Sequence, residues 1–198
     1  MPAPLLPEVP ENMPSFGNAF TRAVGRGILR LCGWRVTGAL PNEPKMLIAA
    51  APHTSNWDFV VAVGGIMALG MKVSAMMKKE AFFWPCKGLF LKLGFLPTDR
   101  KASEGIVGQI HRMYDEHDKL WIGITPEGTR SKVDRWKTGF LRIAQDSNVP
   151  ILLLAFDGPG KQIVLDKVVM ATENFDGQAE ELRQYVLENF EGINAHKQ

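Results

Sequence analysis

At 198 residues, 45% hydrophobic and 22% charged, the chain suits one globular domain that buries a real core, which excludes wholesale disorder. Its 23 Lys and Arg against 21 Asp and Glu leave a net charge of +2, too small to attract nucleic acid, and no nucleic-acid partner is expected. The charge is polarised, however: Lys72, Lys78, Lys79, Lys87, Lys92, Arg100 and Lys101 dominate residues 72–101, whereas acidic residues dominate 157–191, so one side should face anions.

Residues 1–15 are Pro-rich and acidic, lacking the basic start and apolar run of a signal peptide, and are expected to form a flexible arm. Residues 16–34 follow as an amphipathic helix, with Phe16, Phe20, Val24, Ile28 and Leu31 in a stripe beside Arg22, Arg26 and Arg30. Such a helix either lies in a lipid interface, arginines near phosphates, or packs its stripe on the protein with the arginines solvated. Both readings stand at this level.

Residues 35–37 and the apolar run 46–50 read as strands. Ser55, Asn56 and Asp58 supply helix-start chemistry for a helix over 59–69. The uncharged stretch 59–71 falls short of the roughly 20 residues a bilayer span requires, so a buried helix is expected. Residues 72–77 suggest a strand, 80–93 a helix broken at Pro85, and 103–113 a helix capped by Ser103. A buried strand over 120–124 precedes a helix from Thr138 to about Ser147. Strands over 151–156 and 163–170 and a helix over 180–190 complete the pattern. The alternation predicts a single-domain α/β sandwich: a largely parallel mixed sheet flanked by helices, plus the N-terminal amphipathic helix. Cys32 and Cys86 lack ligand spacing and read as free thiols of a reducing compartment.

Chemistry is expected beyond the strands' C-terminal ends. His53 follows the strand 46–50, and Asp58 lies on the next turn. Imidazole suits deprotonation of an alcohol near neutral pH, and a carboxylate on its second nitrogen would fix the tautomer. Asp58 or Ser55 reads equally as a helix cap. A second strand exit carries Thr125-Pro126-Glu127-Gly128-Thr129-Arg130-Ser131, where Gly128 permits a tight turn and Arg130 can grip a phosphate, or the loop is merely a polar turn. Arg100 and Lys101 end a third stretch, 94–101, as a second phosphate contact or as solvated cations. His111 and His117 point to different helix faces and His196 lies in a tail, so no metal site is expected. Neither a Gly-x-Ser-x-Gly elbow nor a cysteine adjoining a histidine offers a nucleophile.

PHTSNWD, GFLPTDR, TPEGTRS and VPILLL, in this order and spacing, resemble the four blocks of the glycerolipid acyltransferase family, which includes the 1-acylglycerol-3-phosphate (lysophosphatidate) acyltransferases. The resemblance implies that residues 35–198 are an acyltransferase domain moving an acyl group from a thioester to a lyso-lipid hydroxyl without an acyl-enzyme. It implies His53 as base, Asp58 as its orienting partner, and Arg100, Glu127, Gly128, Thr129 and Arg130 as the acceptor site, with Lys137 in the family's following lysine position. No cofactor is implied beyond acyl-CoA or acyl-carrier protein as co-substrate donor. The implied partners are a membrane lipid surface, the acyl donor and a lyso-lipid acceptor, at the cytoplasmic side of a bacterial inner membrane. Departures are Pro52 where the family has asparagine, Thr125 where it has phenylalanine, and a short chain with no N-terminal transmembrane helix. They leave the acceptor open between lysophosphatidate and another lyso-lipid such as a lyso-ornithine lipid. Hydrolysis at the same site and a catalytically idle lipid-binding protein are the rival readings.

Overall fold

The computed structural model describes residues 6–78, 88, 91, 94–98 and 105–198, with backbone alone at 76–78 and 95–98. Helix α1 (Ala19–Cys32) leads into β1 (Arg35–Gly38), β2 (Lys45–Ala50), α2 (Asn56–Leu69), β3 (Val73–Lys78) and β4 (Phe95–Thr98). Then come α3 (Gly105–Glu116), β5 (Leu120–Ile124), α4 (Gly139–Asp146), β6 (Ile151–Asp157), β7 (Gln162–Val169) and α5 (Phe175–Asn189). A short 3₁₀ turn, Ala195–Lys197, ends the sequence.

The strands form one seven-stranded sheet in the order β1-β7-β6-β2-β5-β3-β4. Every pairing is parallel except β6 with β7. Strand periodicity builds a layer on each face, because successive side chains point to opposite sides. Met46 and Ile48 of β2 join Trp121, Leu152 and Leu154 in a core covered by α1 and α2. Leu47 and Ala49 join Ile122, Ile151 and Leu153 in a second core, under α3, α4 and α5. The expected α/β sandwich with a largely parallel mixed sheet is the observed fold.

Several elements differ from expectation in instructive ways. Helix α1 starts later than residue 16 because Asn18 caps it, accepting from the Phe20 and Thr21 N–H groups. Its fully buried residues are Gly25 and Leu29; of the stripe expected from periodicity Phe16 and Ile28 pack against the core, while Phe20 is 74% and Leu31 90% exposed. Helix α2 begins earlier than residue 59, at Asn56, because Ser55 and Asp58 close a reciprocal capping box. It is the buried helix expected of residues 59–71, and among the described residues no helix is long and apolar enough to cross a membrane. Thr138 sits at the start of α4 as anticipated but makes no capping hydrogen bond through its side chain. The stretch 95–98, to which the sequence assigned no element, is strand β4, paired with β3 in register from Ala75–Phe95 to Lys78–Thr98. Helix α5 begins at Phe175, ahead of residue 180, where Asn174 accepts from the Gly177 N–H. The broken helix over 80–93, the Ser103 cap and Cys86 lie in whole or part outside the described residues. Cys32 is a free thiol.

Candidate active site

Strands β2 and β5 are parallel neighbours, so their C-terminal ends deliver two loops to the same edge of the sheet. The first loop carries His53 past a cis Ala51–Pro52 peptide, and the second carries residues 125–131. Sequence separation of more than 70 residues is thus cancelled by strand adjacency, and the loops touch. The Glu127 carboxylate accepts the His53 backbone N–H at 2.8 Å (Oε2) and 3.2 Å (Oε1).

His53 Nδ1 lies 3.0 Å from Asp58 Oδ2, with side-chain exposures of 17% and 1%. The pair is close in distance, although the ring N–H is not aligned on that oxygen, and Asp58 Oδ1 accepts no hydrogen bond among the described residues. Oδ2 also accepts the Thr54 and Ser55 N–H groups, each at 2.8 Å. Capping and imidazole contact, alternatives in the sequence, are therefore one arrangement: the box that starts α2 also holds the carboxylate beneath the ring. On the other side Arg130 Nε donates to His53 Nε2 at 3.3 Å. That bond requires the Nε2 lone pair and leaves the ring proton on Nδ1, the nitrogen nearer Asp58.

Glu127 is buried, and loss of hydration pushes its carboxyl up to about 7. The His53 backbone N–H and the nearby imidazole oppose this shift, while the Asp58 charge adds to it. Gly128 holds φ at +67°, where a side chain is strained, and a Cβ there would lie 2.8 Å from Lys137 Nζ. Lys137 thus lies against the turn that carries Glu127 and Arg130. Thr129 Oγ1 accepts the Ser131 N–H at 3.3 Å. Beside these residues opens a cavity of about 350 Å³, lined by Thr54, Ser55, Trp57, Arg130, Asn194 and Lys197 among others.

His53, Asp58, Glu127, Gly128, Thr129, Arg130 and Lys137 are therefore gathered at one edge of the sheet. Arg100 lies outside the described residues; β4, which precedes it, runs parallel to β3 and ends at that same edge. His111 and His117 make contacts away from this site, to Ser147 Oγ at 3.1 Å and to the Met113 carbonyl at 2.9 Å. The sequence reading missed Asn194 and Lys197. They lie 140 or more residues from the His53 loop, and nothing local in the polar tail marks them.

The acyltransferase family model matches residues 34–156, well over half of the chain. The chain belongs to the acyltransferase family. Its fold is that of the 1-acyl-sn-glycerophosphate (LPA) acyltransferase PlsC from Thermotoga maritima, with a TM-score of 0.58 at 21% identity over 85% of this chain and 74% of that one. No curated protein matches the sequence significantly.

Proposed function

We propose that this protein transfers a fatty acyl group from a thioester to the hydroxyl of a lyso-glycerolipid, with 1-acylglycerol-3-phosphate the leading acceptor. The observation that carries this reading is the His53 ring held between Asp58 at Nδ1 and Arg130 at Nε2, with its neighbours Thr54 and Arg130 lining an open cavity. Family membership and the PlsC-like fold support it.

In this mechanism the acceptor displaces Arg130 from Nε2 and presents its hydroxyl there. His53 takes the hydroxyl proton as the oxygen attacks the thioester carbonyl carbon. The carbon–sulfur bond then breaks, and the departing thiolate regains the proton from the imidazolium. Asp58 stabilises that imidazolium and fixes its orientation. Arg130, freed from the ring, is a fork suited to the acceptor phosphate. Glu127 anchors the His53 backbone, so the base is positioned from both strand exits. The reaction needs no acyl-enzyme, and acyl-CoA or acyl-carrier protein serves as donor.

The substrates are amphiphiles, and α1 offers a surface to meet them. Phe20, Val24 and Leu31 are exposed along one line of the helix, with Arg26 and Arg30 exposed beside them. An uncovered apolar line with flanking cations suits peripheral binding to an anionic bilayer, at its cytoplasmic side.

The test offers purified protein a labelled acyl thioester, as CoA and as carrier-protein conjugate, with a panel of lyso-lipids. Labelled diacyl product that increases with a phosphate-bearing acceptor is expected. Label released only as free fatty acid, with or without acceptor, would establish a hydrolase instead.

A further inference from the structure

After α5 the chain turns back across the exit of β2, and the contacts there are specific. The Gly158 N–H donates to the Glu191 carbonyl at 2.8 Å. Gln198 closes a loop on itself, its Nε2 donating to the Phe190 carbonyl and its Oε1 accepting the Gly192 N–H, both at 2.7 Å. Ile193 packs against the core shared with α1 and α2. Gly192 is pressed so closely on Thr54 that a Cβ would lie 2.7 Å from its Oγ1 and Cγ2. Asn194 then holds Thr54 at two points: its backbone N–H donates to Oγ1 at 3.0 Å and its Nδ2 to the carbonyl at 3.2 Å.

Thr54 is the residue after His53, and its own N–H is one of the bonds that hold the Asp58 carboxylate. The segment therefore grips the hinge of the His53–Asp58 unit. Three residues beyond Asn194, Lys197 lines the same cavity as Arg130, and among the described residues neither cation is paired with a carboxylate. Two cations lining one cavity, neither paired with a carboxylate among the described residues, suit a phosphate-type anion. This segment lies beyond residues 34–156, the stretch that matches the family model.

We propose that residues 191–198 form a wall of the substrate cavity, with Asn194 a positioning residue for the His53–Asp58 turn and Lys197 a specificity cation for a phosphate-bearing substrate. The phosphate belongs either to the acceptor head group or to the donor's pantetheine or nucleotide portion. The inference rests on the proposed acyl transfer.

Steady-state kinetics with 1-acylglycerol-3-phosphate and acyl-CoA separates the two roles. Lys197→Glu should raise KM about tenfold for the substrate whose phosphate lies there, with kcat changed less than about twofold. A rise for the acceptor assigns the acceptor phosphate, a rise for acyl-CoA assigns the donor, and two parental KM values overturn the Lys197 role. Asn194→Ala should lower kcat about tenfold at nearly constant KM, because the base is displaced rather than the binding groups. Combined with Thr54→Val, its loss should be less than the product of the single losses. A parental kcat, or fully multiplicative losses, overturns the positioning role. A parent inactive with every acceptor would sink the acyl-transfer reading alone, so a second readout is independent of turnover. Inorganic phosphate titrated into the protein should shift the Trp57 indole N–H resonance, and Lys197→Glu should weaken that response several-fold. An equal response in both proteins overturns the proposed anion site.

Discussion

Helices α1 and α2 pack side by side on one face of the sheet, yet they use apolar residues in opposite ways. Helix α2 is apolar around its whole circumference and buries nearly all of its second half, from Gly64 to Leu69. Helix α1 has a sharply one-sided pattern, yet only Gly25 and Leu29 are buried while Phe20 and Leu31 remain in the open. An all-apolar helix of 14 residues becomes core when neighbours surround it, whereas a one-sided helix keeps a second face for something else. The polar end of α2 also matters, since its first turn supplies Asp58. One helix supplies the carboxylate beside the candidate base, and the other leaves an apolar line exposed.

The largest effect should come from breaking the α2 side at Asp58. Asp58→Ala removes the carboxylate beneath His53 and orphans two backbone N–H groups. Acyl transfer should fall by about 10²-fold or more, and unfolding free energy by about 1–3 kcal/mol. Enzyme assays and urea unfolding of the same preparation measure both. On the α1 side, Leu29→Ala should cost about 2–5 kcal/mol, because Leu29 is fully buried between the helices.

Glu127 lies between these scales. Burial holds its carboxyl at about 7, above the ordinary 4.5, so the native state binds the proton more tightly than the unfolded chain. Its contribution to stability is therefore present at low pH and is lost as pH rises from 4.5 toward 7, by up to about 3 kcal/mol. Glu127→Gln keeps an acceptor for the His53 N–H and removes this dependence. Urea unfolding at pH 5 and pH 8 should show the parent losing stability relative to the variant; the opposite slope would contradict the assignment. The smallest effect on folding belongs to the exposed line of α1. Phe20→Ser with Leu31→Ser should change stability by less than about 0.5 kcal/mol per site. The same variant should bind anionic liposomes several-fold more weakly, and parental binding would make that face an ordinary surface.

The same contrast explains what the sequence made legible. Short apolar runs such as 46–50 and 120–124 were readable as strands because burial on both faces leaves little room for polar residues. Their neighbouring loops then gave His53, Asp58, Glu127 and Arg130 as candidates, since the chemistry there is written in local residue types. The packed face of α1 was legible only in part, through Phe16 and Ile28. Gly25 has no hydrophobic signature, yet it allows the close approach that sets which side of the helix is buried. Strand β4 was hidden by Pro97 and by its short length. Asn194 and Lys197 carried no signal at all, because the contact with Thr54 arises only when the sheet has brought β2, β6 and the end of the chain together.

The central claim is that the His53 imidazole takes the proton from the acceptor hydroxyl. Measuring initial rates of diacyl-lipid formation by parent and His53→Ala, at matched thermal midpoints, tests it most directly. A loss of about 10²-fold or more in kcat is the predicted result. A folded His53→Ala protein that forms product at the parental rate would contradict it.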